Sequence, residues 1–361
     1  MPIGVLKRLW IMLRLYRKHG RYRLFLFWSL VGPVFFVFTR FCLWLDNLVF
    51  RELHNITVEN PVFIVGHPRS GSTYLQRRVY ESDVVCMFTT WEMVFPSLVQ
   101  RKLLAPLLAL LEYFQVDVLQ SVSKGHEIRL QQVEENEGLF LHQLDTEMVT
   151  VLCPWLLTDE EYRKVGLKLG KNDTTRNRDS LLFFETCLKR QIYHTGKNQV
   201  VAKCNPSIFR LQNILSVFPD ARIVYLVRSP ERTVQSFLSF TQKVIDPLLD
   251  SNELQILIQS KYHWCVELYE YFESIRPQIP PEQLLILPFH ELSHNTINTL
   301  KRFFSFVRIG PPPYYWKKMT EEVQKPFRKE HMNAPLDSLG ISRERVRTDL
   351  QHIWERYLQT E

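Results

Sequence analysis

Cysteine is sparse in this chain and poorly placed for chemistry. Cys42, Cys86, Cys153, Cys187, Cys204 and Cys265 show neither the close pairs of a zinc site nor the density of a disulfide-stapled scaffold. Cys42 falls in a hydrophobic leader, and the five others cannot all pair, which favours a reducing compartment. Repeats and low-complexity tracts are absent, and 45% hydrophobic with 23% charged residues describes a folded chain able to bury one large core. Acid is missing from the first 23 residues, which hold Lys7, Arg8, Arg14, Arg17, Lys18, Arg21 and Arg23. The whole chain has 45 basic and 38 acidic residues, so without those seven the other 338 are formally neutral. The net +7 therefore belongs to the N-terminus, and nothing in the charge of the globular part calls for nucleic acid.

A long apolar span is also lacking. Leu24 to Thr39 is apolar for 16 residues and contains Pro33, whereas a spanning helix needs about 20. Phe41 to Leu45 extend it only past Arg40. No small-residue cleavage site follows, which argues against a removable signal peptide. Upstream, Lys7, Arg14, Arg17 and Lys18 fall on one side of a helical wheel, and Val5, Leu6, Leu9, Met12, Leu13 and Tyr16 on the other. That is the pattern of an interfacial membrane helix. Residues 1–50 are thus expected to associate with a membrane, by monotopic insertion or a hairpin, with a buried core helix as the competing reading. Residues 51–361 are expected to form one catalytic domain. Only about 15 residues separate Leu45 from Pro61, which places the active site close to the bilayer.

The segment Pro61-Val-Phe-Ile-Val-Gly-His-Pro-Arg-Ser-Gly-Ser-Thr73 is an apolar strand running into a glycine loop that opens a helix with two hydroxyl residues. Loop N–H groups and the positive helix end converge on an anionic oxygen cluster. Pro68, Arg69, Ser70, Gly71, Ser72 and Thr73 are accordingly the candidate phosphate-binding residues. Against G-x-x-x-x-G-K-[ST], Gly66, Gly71 and Thr73 fit, but Ser72 replaces the lysine and Arg69 brings a cation inside the loop. A kinase also needs a carboxylate for Mg²⁺ after another strand. The runs Gln199 to Ala202 and Arg222 to Val227 end instead in Lys203 and Arg228. Both features suit a nucleotide bound without a metal.

From Lys203-Cys-Asn-Pro through Leu-Val-Arg228-Ser-Pro-Glu-Arg-Thr-Val-Gln-Ser236, the chain resembles the sulfotransferases, which use 3′-phosphoadenosine-5′-phosphosulfate (PAPS). The resemblance runs over roughly residues 61 to 310. It implies that the first loop holds the 5′-phosphosulfate, while Arg228 and Ser236, eight residues apart, hold the 3′-phosphate. Pro230 at a first helical position would supply the tight turn this needs. The Pro-Arg-Ser-Gly-Ser-Thr form and the hydrophobic leader are most similar to the membrane-associated, protein-tyrosine and bacterial-type branch.

Sulfuryl transfer to a hydroxyl requires a base, cations at the leaving oxygen and in-line reactants. Arg69 and Lys203 match basic residues at the sulfate in the protein-tyrosine branch. Two bases compete. Glu92 lies 23 residues after Arg69, near the glutamate of the protein-tyrosine branch, and His126 lies 57 residues after it, near the histidine of the cytosolic branch. Burial among Trp91, Met93, Val94 and Phe95 would lift Glu92 toward neutrality, although Glu92 also suits a helix cap; a histidine needs no lift. Glu134-Glu-Asn-Glu137 reads as a solvated helix face, with orientation of the acceptor or of a catalytic partner as the alternative. Phe289-His290-Glu-Leu292 stands where relatives have Tyr-Glu-Asp-Leu, so a tyrosine contact to the nucleotide is lost. Lys325, Arg328 and Lys329 offer a cationic lid or a solvated loop.

Strands near 61–66, 199–203, 222–228 and 284–288 alternate with helices near 73–82, 206–217, 230–241, 253–276 and 292–306. The expected architecture is an α/β, P-loop NTPase-like three-layer fold with a parallel central sheet, plus N-terminal membrane-associating helices. Residues 92–195 read mostly helical, with Gly166 to Asp179 as an exposed loop. The expected activity is metal-independent transfer from PAPS to a hydroxyl of a membrane lipid, glycan or small molecule, at the cytoplasmic face or in a Golgi lumen. A P-loop kinase and a catalytically silent nucleotide-binding scaffold are the alternatives; the oligomeric state is open.

Overall fold

Runs such as Val62-Phe-Ile-Val65 and Ile223-Val-Tyr-Leu-Val227 have no polar alternation, so they are stable only where both sheet faces are covered. A computed structural model of the protein, which describes residues 3–114, 129–171, 174–323 and 333–358, meets that requirement. Along the chain come helices α1 (Ile3–Lys18) and α2 (Tyr22–Val49), strand β1 (Val62–Gly66), and helices α3 (Ser72–Tyr80), α4 (Thr90–Val94) and α5 (Leu98–Tyr113). Strands β2 (Val201–Lys203), β3 (Arg222–Val227) and β4 (Leu284–Pro288) follow. All residues of β1, β2 and β3 are buried. The chain divides into two compact units, Met1–Val58 with Phe88–Gly196, and Glu59–Met87 with Lys197–Glu361.

The second unit carries the sheet, ordered β2-β1-β3-β4 and parallel throughout. Ile64 pairs with Lys203 and Gly66 with Leu226, so the ends of β1, β2 and β3 open on one edge. The chain passes from β2 across β1 to β3, which makes that edge a switch point where ligands of open α/β sheets bind. The expected 206–217 helix is a 3₁₀ turn, Asn205–Arg210, followed by the helix Leu211–Val217. The expected 292–306 helix is interrupted at Asn295, between Phe289–His294 and Thr296–Val307.

The first unit gathers the N-terminal helices with residues 88–196. Helix α2 runs unbroken through Pro33 and Arg40, so it is neither a short segment nor a hairpin. It is long and apolar enough to cross a membrane by length and composition. Its Asp46 is fully buried and accepts hydrogen bonds from Ser97 Oγ (2.9 Å), the Leu98 and Val99 N–H groups (3.0 and 2.8 Å) and Arg190 Nε (2.8 Å). One carboxylate thus caps α5 and pairs a buried guanidinium. The apolar face of α1 is not left for lipid: Val5, Leu9, Met12 and Tyr16 are buried, while Leu6 stays exposed. Gly166 to Asp179 is not one exposed loop either. Gly166 ends a helical turn against Leu156, and residues from Thr174 belong to the helix Thr174–Thr195.

Candidate active site

The loop after β1 is shaped by backbone positions that few side chains allow. Gly66 has φ +157°, and a Cβ there would lie 2.5 Å from the Leu226 carbonyl, so glycine is what lets β1 close on β3 at the sheet edge. Gly71 has φ +97°, and a Cβ would run into the Phe289 ring. Arg69 takes φ +76°, a left-handed conformation that costs an arginine about 1 kcal/mol or more. The Ser70 N–H donates to the His67 carbonyl at 3.0 Å, closing the turn. His67 is buried, its Nδ1 lies 2.6 Å from the Pro68 carbonyl, and its ring stacks on Tyr269 at 5.2 Å. Burial lowers it to about 4, so it is a neutral imidazole that braces the loop.

Four candidate residues meet around this loop. Arg69 Nε donates to Ser236 Oγ (3.1 Å), on the helix Pro230–Ile245, and Arg228 Nη1 donates to the Arg69 carbonyl (3.2 Å). Ser229 caps that helix and Pro230 occupies its first turn, so the β3-to-helix turn is tight. Arg228 and Ser236 therefore come together through Arg69. Lys203, 2% exposed at the end of β2, donates from Nζ to Thr73 Oγ1 at 2.8 Å. Burial also pushes the Arg69 guanidinium below its ordinary value, although an arginine remains a cation. Pro68 and Ser70 to Thr73 line the same turn, and the first-turn N–H groups of α3 have no acceptor within their own helix. Ser70 Oγ is buried with no partner among the described residues.

Three contributors were not singled out from the sequence as parts of the site. Asn205 Nδ2 donates to Ser72 Oγ at 3.0 Å; its signal was the chain break at Lys203-Cys-Asn-Pro. Phe289, noted only as a missing tyrosine hydroxyl, packs on Gly71 and lies under Arg228 at 4.5 Å. Phe240 lies 5.7 Å from the Arg69 guanidinium.

Glu92 belongs to the other unit and is heavily engaged there. It is the third residue of a capping box, accepting from the Thr89 N–H (2.7 Å) and Thr89 Oγ1 (2.9 Å). His194 Nε2 lies 3.4 Å and Arg101 Nη1 3.7 Å from its second oxygen. The expectation of a raised carboxyl is not met. Burial alone raises it, but His194, Arg101, the Thr89 N–H and Gln191 outweigh that and hold it at about 2. Glu134 and Glu137 are buried, which corrects the solvated-face reading. His126, Lys325, Arg328 and Lys329 lie outside the described residues.

A cationic and hydroxylic donor set at a switch-point loop can receive an anionic ligand. Residues 61–310 match the model of the sulfotransferase family. The chain belongs to that family. Omega-hydroxy-beta-dihydromenaquinone-9 sulfotransferase Stf3 of Mycobacterium bovis, and its namesake of Mycobacterium tuberculosis, are each 23% identical to this sulfotransferase over 294 residues, 77% of this chain and 71% of theirs. Among solved structures, the sulfotransferase STF9 from Mycobacterium avium superposes with a TM-score of 0.71 at 15% identity, covering 88% of this chain and 81% of its own. STF1 from Mycobacterium tuberculosis gives 0.70 at 16%, covering 97% and 92%. At those identities the two structures establish the parallel α/β sulfotransferase fold.

Proposed function

We propose that this sulfotransferase moves a sulfuryl group from PAPS to a hydroxyl of a membrane-resident lipid acceptor. Residues 51–361 serve as its catalytic part and residues 1–50 associate with the cytoplasmic face of a membrane. The observation that carries the donor assignment is the meeting of Arg69, Ser236 and Arg228 at the loop, with Lys203 against Thr73 beside it. The loop N–H groups, Ser72 and Thr73 receive the 5′-phosphosulfate; Arg228 and Ser236 receive the 3′-phosphate. The acceptor oxygen attacks sulfur, the bond from sulfur to the phosphate oxygen breaks, and 3′-phosphoadenosine-5′-phosphate leaves. Arg69 and Lys203 neutralise the charge that grows on that bridging oxygen, an interaction stronger in the transition state than before it.

The acceptor proton goes to Glu92 or His126. The capping and ion-pair contacts of Glu92 favour His126, because a carboxylate held near 2 is a weak proton acceptor at neutral pH. The lipid assignment draws support from the Stf3 relatives, named for a hydroxylated menaquinone, together with the apolar α2.

Thermal stability of the detergent-solubilised protein with 3′-phosphoadenosine-5′-phosphate tests this reading, with ATP–Mg²⁺, adenosine-5′-phosphate and Arg228→Ala alongside. At about 100 times Kd the product nucleotide should add about 2.7 kcal/mol, and Arg228→Ala should abolish it. Stabilisation by ATP–Mg²⁺ instead, or by no nucleotide, would overturn the assignment in favour of a kinase or a silent scaffold.

A further inference from the structure

Helix α2 carries two stripes of opposite fate. Gly32, Phe36, Thr39, Leu43 and Asp46 recur every three or four residues and face protein. Leu30, Val34, Val37, Phe41, Trp44 and Leu48 recur at the same spacing and are 53% to 69% exposed. A second helix adds exposed apolar surface of its own, its buried residues being confined to the first turn. From Leu103 to Leu111, α5 has nine consecutive residues without a polar side chain. Leu103, Leu107, Leu110 and, just beyond the helix, Phe114 form an i, i+4, i+7, i+11 stripe that is 45% to 63% exposed. A helix apolar all round is stable when covered, and among the described residues nothing covers this stripe.

Both ends of α2 are fastened to the same unit. At its start, α1 is pinned through Tyr16, whose hydroxyl donates to the Leu152 carbonyl (3.0 Å), and Lys18, which donates to Asp159 (2.5 Å). The linking His19 stacks on Trp155 at 5.1 Å. At its other end Asp46 is buried against Arg190 and α5. Between them the inner stripe lies on the same unit. A 28-residue helix is about 42 Å long. Sending it through an apolar slab of about 30 Å would drag that unit, with its buried ion pairs, into hydrocarbon.

We propose that α2 and α5 together form an in-plane platform whose outward stripes enter one leaflet of an anionic phospholipid bilayer without crossing it. The inference rests on the membrane-acceptor part of the proposed function. Charge selects lipid over a second copy of the chain: Lys7 and Arg17 on α1 and Arg23 in the first turn of α2 are exposed, so a two-fold partner would bring like charges together, whereas anionic headgroups neutralise them. An enzyme resting in the leaflet meets a lipid-dissolved hydroxyl by lateral diffusion.

The test uses the full chain. Every native cysteine is buried, so single cysteines placed by Val37→Cys and Leu107→Cys can carry an environment-sensitive fluorophore. Vesicles of phosphatidylcholine with phosphatidylglycerol should shift both probes to the blue, and phosphatidylcholine alone should do so less. Lys7→Cys and Arg51→Cys should both react with an impermeant maleimide from the outside of the vesicle. Leu107→Glu with Leu110→Glu should weaken vesicle partitioning at least about tenfold while the circular-dichroism melt in detergent is retained. Insertion at position 37 with positions 7 and 51 on opposite sides would make α2 a spanning helix and overturn the proposal. Silence of both probes overturns it as well, and a dimer then identifies a second copy as the cover. None of these readouts needs nucleotide or turnover, so their failure is separate from failure of the sulfuryl-transfer reading.

Discussion

Replacing Glu92 by glutamine separates two jobs open to one carboxylate, holding the fold and taking the acceptor proton. In the structure the side chain is 13% exposed and its ionised form is favoured by Thr89, His194 and Arg101. Its ordinary value of 4.5 falls to about 2, despite burial, which acts the other way. At about 1.4 kcal/mol per tenfold change in proton affinity, that gap amounts to about 3 kcal/mol of folding stability. The folded value is the depressed one, so this contribution is complete above about 4.5 and is lost as pH falls from there toward 2. Glutamine keeps an acceptor for the Thr89 N–H but loses the charge. At pH 7 Glu92→Gln should therefore cost about 2–3 kcal/mol, lowering Tm by about 3–4 °C in a chain of 361 residues. The difference from wild type should shrink as scans are repeated from pH 5 down to pH 3. Turnover of the folded fraction should fall less than about tenfold. An unchanged Tm with a loss of kcat of about a hundredfold or more would refute the reasoning and identify Glu92 as the base.

Lys203→Met removes a buried cation aimed at the loop and should lower kcat about 10²–10³-fold with a small change in affinity for 3′-phosphoadenosine-5′-phosphate; steady-state kinetics with a calorimetric Kd decides. An equal rise in KM with kcat intact would make it a ground-state contact. Arg190→Met leaves Asp46 buried without its guanidinium and should destabilise by about 3–5 kcal/mol in urea melts, with Asp46→Leu/Arg190→Met recovering part of the loss. Additive losses would show that the two side chains act independently. Gly71→Ala should abolish nucleotide stabilisation in thermal shift, because the added methyl meets Phe289 on a left-handed backbone. An alanine variant that binds normally would show that the loop need not sit against that ring.

The glycine loop after β1 and the approach of Arg228 and Ser236 to it were legible in the linear chain because short-range geometry decides them. A strand leads into a glycine turn, a proline starts a helix, and eight residues separate two groups whose backbone path is nearly forced. The four parallel strands were legible for a similar reason, since continuous apolar runs have no stable home outside a covered sheet. What the chain by itself determined is therefore the family, the sheet and the shape of the loop at its edge. The tertiary structure alone decided the rest. Asn205 reaches Ser72 across 133 positions, Arg190 reaches Asp46 across 144, and Glu92 meets His194 across 102. No local pattern encodes such pairings, because each depends on where separate elements dock. The same holds for α1, whose amphipathic face suits lipid or protein equally well. Packing gave most of that face to protein, with Leu6 left exposed, and left longer exposed apolar stripes on α2 and α5.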